Sequence, residues 1–105
     1  AALEMLYLNE EGAKKEKLAK RCSVYLQADK HDIMYSYNRL KQIYKKRSEF
    51  VHEGTFYDIK DDDILFLRRC VRDSILKIRN DRRTKKERIT VIRSMVESFR
   101  ECFDE

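Results

Sequence analysis

Proline and tryptophan are absent from this 105-residue chain, and glycine occurs only at Gly12 and Gly54. An average sequence of this length would hold about five prolines and about seven glycines. Sandwiches and barrels need a turn signal every ~8–12 residues, so the scarcity of turn formers excludes them. No apolar run approaches the ~20 residues that cross a bilayer, and no signal peptide is visible. The three cysteines, Cys22, Cys70 and Cys102, contain no C-x-x-C pair, so zinc-ligand spacing is missing. The two histidines, His31 and His52, have no metal-ligand partner at i+3 or i+4. A Gly-rich phosphate loop and a recognisable Ser–His–Asp set are missing too.

What is present is charge and helical periodicity. Charged residues make up 41% of the chain and apolar residues 42%. That is too apolar for a disordered chain and suits an amphipathic all-α bundle of four to five helices. The length predicts one domain over residues 1–105. A domain this small buries only about two thirds of its unfolded surface, so a partner subunit would help it. The cysteines read as reduced, mostly buried thiols of a cytoplasmic protein. The chain does not begin with Met, which suggests a C-terminal fragment preceded by another domain.

Five helical segments follow from apolar spacing. The first holds Leu3, Leu6 and Tyr7 and runs to Glu11–Gly12. The second covers about 14–27, with Leu18, Cys22 and Tyr25 inward. The third, about 30–53, carries Ile33, Tyr37, Leu40, Tyr44, Arg47 and Val51 at steps of 4 and 3, and Gly54 ends it. A connection with Phe56, Tyr57 and Ile59 leads to a fourth helix beginning at Asp61-Asp62-Asp63. These carboxylates suit a helix N-terminus better than a metal. Its predicted inner stripe is Ile64, Leu67, Val71, Ile75 and Ile78. The fifth helix covers about 84–103. Its seam of Ile89, Ile92, Val96, Phe99 and Phe103 either closes the bundle or meets a partner helix.

The net charge of +5 is concentrated in one place. Lys77, Arg79, Arg82, Arg83, Lys85, Lys86 and Arg88, opposed by Asp81 and Glu87, carry all of it. Such a patch is either an electrostatic footprint for phosphates or a solvated junction of mixed charge. Arg47 interrupts the apolar stripe of the third helix. A guanidinium there needs a partner, either an acid of this chain such as Glu4 or Asp73 or a functional ligand. Ser48 and His52 are four residues apart and share a helix face. Arg47 and His52 are five apart, about 140° around an ideal helix and about 7.5 Å along it. They do not converge within one helix, but they can across a twofold axis.

The run Tyr44-Lys45-Lys46-Arg47-Ser48-Glu49-Phe50-Val51-His52-Glu53-Gly54 resembles the R-x-x-x-x-H signature of HEPN domains. It is most similar to the ApeA-like group found in bacterial defence proteins. The opening Ala2-Leu3-Glu4-Met5-Leu6-Tyr7-Leu8, the segment Leu18-Ala19-Lys20-Arg21-Cys22 and the helix from Asp61 to Ile78 are similar to the family as well. The resemblance covers residues 2 to about 78. It implies an all-α homodimer and, for many members, a metal-independent endoribonuclease without cofactors. By that resemblance His52 acts as general acid or base at the ribose 2′-hydroxyl or leaving oxygen. Arg47 stabilises the phosphorane-like transition state, and Ser48 orients the site. The product would be a 2′,3′-cyclic phosphate. RNA, a second copy of the chain, and an upstream domain or antitoxin are the implied partners, in toxin–antitoxin or phage-defence settings. Gly54 stands where other HEPN groups carry the tyrosine that serves nucleotidyl modification, so that system is not expected.

The candidate RNA-binding residues are Tyr44, Arg79, Arg82, Arg83, Lys85 and Lys86. Tyr44 lies one turn before Arg47; the other residues belong to the basic window. Tyr25, Tyr35, Tyr37 and Tyr57 could stack bases if exposed, but at helical spacing they equally read as core or rim. Two alternatives to a nuclease remain open at this point. One is a non-catalytic HEPN module that dimerises, binds RNA or regulates. The other is a helical adaptor that presents its 89–103 seam to partner helices.

Overall fold

A 3.6-residue apolar period organises most of the chain, and the computed structural model is an all-α bundle. It describes residues 2–8, 15–53 and 60–104; for residues 2 and 47–53 it describes the backbone alone. The helices are α1 (Ala2–Tyr7), α2 (Lys15–Leu26), α3 (Lys30–Glu53), α4 (Asp61–Arg79) and α5 (Lys85–Ser98). A short 3-10 turn follows at Arg100–Cys102. No helix among the described residues is long and apolar enough to cross a membrane. The predicted stops at Gly12 and Gly54, and the connection with Phe56, Tyr57 and Ile59, lie outside the described residues.

Local chemistry sets the helix starts. The Asp29 carboxylate accepts the backbone N–H groups of His31 (2.9 Å) and Asp32 (3.2 Å), so Asp29 caps α3. At α5, Thr84 Oγ1 accepts the Glu87 N–H (3.2 Å) and Glu87 Oε1 accepts the Thr84 N–H (2.9 Å). This reciprocal pair satisfies two donors that a helix N-terminus leaves free. In α4 the Asp61–Asp63 triplet opens the helix and Lys77 and Arg79 close it, matching the sign of the helix dipole at both ends.

The core is built around α2. Leu18, Ala19, Cys22, Val24 and Tyr25 are all buried, and Arg21 and Ser23 are buried with them. This helix packs against α1, α3, α4 and α5, which is why it is buried from Leu18 to Tyr25 apart from Lys20, while its first turn, Lys15–Lys17, is exposed. The Arg21 guanidinium donates to the Tyr7 carbonyl at 2.9 Å, so its charge is not stranded. α2 and α3 form an antiparallel pair across the connection 27–29, with Tyr37 Oη donating to Glu16 at 3.1 Å. From α3, Ile33, Tyr37, Leu40 and Tyr44 enter the core as the spacing predicts.

The seam of α5 also turns inward. Ile89 and Ile92 are buried, and Val96 and Phe99 are partly so. The helix predicted to reach Phe103 ends at Ser98. The 3-10 turn then folds the chain back, and Phe103 meets the edge of Tyr37 with ring centroids 4.8 Å apart. The seam therefore closes the bundle and is not the exposed face that an adaptor would present.

The predicted inner stripe of α4 needs correction. Leu67, Val71 and Ile78 are partly buried against the core as expected, but Ile64 is 39% exposed and Ile75 50% exposed, and the fully buried residues of the helix are Asp63, Cys70 and Ser74. The reason is hydrogen bonding. Tyr7 Oη lies 2.6 Å from Ser74 Oγ, and Arg39 and Lys46 grip Asp63. These partners rotate α4 so that its short polar side chains face the bundle. A buried hydroxyl or carboxylate is stable there only because each has a partner.

Candidate functional site

The R-x-x-x-x-H signature sits on the last turns of α3. Arg47, Ser48 and His52 belong to this continuous helix, and their side chains lie outside the described residues. Tyr44, one turn earlier, is 6% exposed and packs in the core. Its ring is thus part of the protein interior, not a free platform for a base.

Just ahead of Arg47, α3 is fastened to the start of α4 through Arg39 and the adjacent Lys46. Lys46 Nζ lies 3.2 Å from Asp63 Oδ2, and Arg39 Nη2 lies 3.1 Å from Asp63 Oδ1. The Lys60 backbone N–H also donates to Asp63 Oδ2 at 3.2 Å. Burial alone would raise the Asp63 carboxyl. The Lys60 hydrogen bond and the Lys46 and Arg39 charges outweigh it and hold the group below the usual carboxylate range. The sequence marked Asp63 only as a helix-capping acid. Its second role, bracing α3 beside the signature, depends on a helix pairing that spacing does not reveal.

The basic window forms the corner between α4 and α5, and it is more organised than its charge count suggests. Asp81 sits at its centre. The Arg83 guanidinium donates to it twice, Nε to Oδ1 at 2.9 Å and Nη2 to Oδ2 at 2.8 Å. The Arg83 backbone N–H (3.0 Å) and Tyr25 Oη (2.9 Å) complete the set. The fork from Arg83 holds the Asp81 carboxyl far below its ordinary range. Burial, with the hydrogen bond to Asp81, pushes the Tyr25 phenol up to about 12. Lys77 donates to the Tyr25 carbonyl and lies over its ring, 4.5 Å from the centroid. Arg88 is buried and donates to the Arg83 carbonyl at 3.3 Å.

Of the predicted RNA-binding cations, Arg79, Arg82, Lys85 and Lys86 are exposed. Arg83 is half-committed, its fork spent on Asp81. The corner rests on Tyr25 at the end of α2, next to the α2–α3 connection. His52 is 22 residues beyond Lys30 along α3, about 33 Å at 1.5 Å per residue. The bundle thus sets the basic corner and the signature at opposite ends of α3, and one chain does not bring them together.

A polar cluster that sequence reading missed lies between α1, α2 and α4. Tyr7 and Ser74 share a hydrogen bond, and the Cys22 thiol adjoins both them and Cys70. The hydrogen bond to Cys70, together with burial, pushes the Cys22 thiol up; the same bond pulls Cys70 down. Burial pushes the Tyr7 phenol up strongly. All three cysteines are free and buried, as expected. No cluster of His, Cys, Asp or Glu able to hold a metal occurs among the described residues.

Comparison with protein-family models, with curated proteins and with solved structures finds no match to this chain.

Proposed function

We propose that the chain is a HEPN-type, metal-independent endoribonuclease whose site combines Arg47 of one subunit with His52 of another. The observation that carries this reading is the R-x-x-x-x-H signature on the final turns of a long helix in an all-α bundle. An imidazole near neutral pKa and a permanently charged guanidinium are the parts that an RNA transesterification uses. The base withdraws the 2′-hydroxyl proton, the oxygen attacks phosphorus, and the 5′-oxygen leaves with a proton. Arg47 meets the charge that builds on the non-bridging oxygens. The brace at Asp63 supports the reading because it holds α3 at Arg39 and at Lys46, the residue next to Arg47.

The exposed cations of the basic corner would hold the RNA backbone. At about 3.4 Å per nucleotide of a duplex strand, spanning roughly 33 Å takes about ten nucleotides.

The test is cleavage of mixed single-stranded and structured RNA in EDTA, with the products analysed for 2′,3′-cyclic phosphate. Activity that is present in the wild type and lost in both Arg47→Ala and His52→Ala supports the reading. Equal activity in both variants sinks it. A second reading, a non-catalytic HEPN module that binds RNA or regulates, is favoured by the wide separation of the basic corner from the signature. It predicts RNA binding by folded wild type without cleavage.

A further inference from the structure

One face of α4 carries an apolar stripe that the bundle covers only in part: Leu67 and Val71 pack against the edge of the core, and Ile64 and Ile75 are left exposed. Ile64, Leu67, Val71 and Ile75 follow one another at steps of 3, 4 and 4 and line an open groove along the helix. Ile64 and Ile75 are well exposed, and Leu67 and Val71 partly so. Arg68 and Arg72 form the groove's other wall, and none of its lining residues is acidic. Arg72 meets its neighbour Asp73, Nε to Oδ1 at 3.4 Å, and both side chains are exposed. From Ile64 to Ile75 the stripe extends about 16 Å, three helical turns.

From this face we infer a docking site for an amphipathic helix of another protein, one that sets apolar residues at 3–4 spacing beside aspartates or glutamates. The stripe matches the anchors of helix-in-groove recognition. The arginine wall decides the sign of the occupant. Bidentate guanidinium–carboxylate pairs at the rim would fix register and exclude basic helices. A second copy of this chain fits worse. A twofold axis through the middle of the stripe, at residue 70, sets Arg68 of one copy against Arg72 of the other, two like-charge pairs beside the apolar centre. RNA gains nothing from four aliphatic side chains, because its affinity rests on phosphate contacts and stacking. The inference is independent of the nuclease reading, since neither Arg47 nor His52 contributes to the groove.

The experiment uses the whole chain and fluorescent helical peptides of roughly 20 residues, long enough to hold a helix in water. One peptide sets leucines at the stripe's spacing beside glutamates. The second replaces the glutamates with lysines, and the third scrambles the leucines. Anisotropy should show binding of the glutamate peptide alone. Ile64→Ser with Ile75→Ser should weaken it at least about tenfold, and Arg68→Glu with Arg72→Glu should do the same while admitting the lysine peptide. All four side chains are on the surface, so circular dichroism should match wild type for both double variants. Three outcomes would each overturn the inference. They are equal binding of the scrambled peptide, affinity indifferent to both double variants, and no binding of the glutamate peptide. Sedimentation in which the wild type self-associates and the isoleucine variant does not would assign the face to a second copy. Capture of the chain by phosphatidylserine vesicles, with the glutamate peptide unable to compete, would assign it to a membrane surface.

Discussion

Tyr7 and Ser74 share a hydrogen bond of 2.6 Å that ties the first helix to the fourth across 67 positions of sequence. Both side chains are fully buried, so neither hydroxyl can turn to water when the other is lost. This contact, with the grip on Asp63, decides which side of α4 faces the bundle. The expected cost of Ser74→Ala or Tyr7→Phe is about 1–3 kcal/mol each. Urea titration of both singles and the double should show coupling, with the double costing clearly less than the sum. Strict additivity would mean that the pair does not act as a unit.

The rotated register of α4 is directly measurable. Ile92 is 0% exposed, and Ile92→Ala should cost about 2–5 kcal/mol. Ile75→Ala, on the exposed stripe, should fall within about 0.5 kcal/mol of wild type. Comparable losses at the two positions would show that the stripe faces inward after all.

Acid should loosen the α4–α5 corner. The Asp81 carboxyl is held low in the fold, first of all by the Arg83 fork. Its contribution is therefore fully present above the unfolded carboxylate pKa, about 3.9, and is lost as pH falls through the folded value. The melting temperature of wild type should exceed that of Asp81→Asn near neutrality, and the gap should close in strong acid. A gap independent of pH would show that the charge of Asp81 is not what matters.

The Tyr25 phenol gives the alkaline counterpart. With its pKa pushed up to about 12, its contribution is complete below the unfolded value of about 10 and is lost as pH rises through the folded one. Ultraviolet difference spectra should show several late tyrosine ionisations, of which one moves down in Asp81→Asn, because that substitution replaces a charged acceptor with a neutral amide. An unchanged titration would detach Tyr25 from the corner.

If the corner holds RNA, its cations divide into two groups. Glutamate at Arg82, Lys85 or Lys86, all exposed, should weaken binding and lower the salt slope by about one for each phosphate contact removed, with little change in stability. Arg83→Ala should instead lower stability, because it releases Asp81. Filter binding across a salt series, beside thermal melts, separates the two groups. Identical behaviour of Arg83 and Arg82 would argue against the division.

The all-α class, the extent of α3 and the inward seam of α5 were legible because apolar residues recur there at 3–4 spacing and pack as that spacing says. The face of α4 was not. The apolar stripe from Ile64 to Ile78 is only partly inward, because the helix turns Asp63, Cys70 and Ser74 fully into the bundle. Asp63 and Ser74 find partners on α3 and α1, distant in sequence and invisible to periodicity. The basic window was legible as a cluster but not as a structure, since Asp81 reads there as an opposing charge and in the fold is the hub that Arg83 and Tyr25 grip. The signature at Arg47 and His52 was legible as a motif, and its distance from the corner emerged only when the antiparallel path of α2, α3 and α4 was known.

The packing of α2 against four other helices also bears on how the protein is made. Leu18, Cys22 and Tyr25 leave the ribosome more than sixty positions ahead of Ile89 and Ile92, the buried residues of α5, which packs on this helix. At about 5–20 residues per second the interval is several seconds. Throughout that time the central helix of the nascent chain has an unsealed apolar side. A chaperone that binds exposed apolar surface would find its substrate in this helix and lose it when the fifth helix docks.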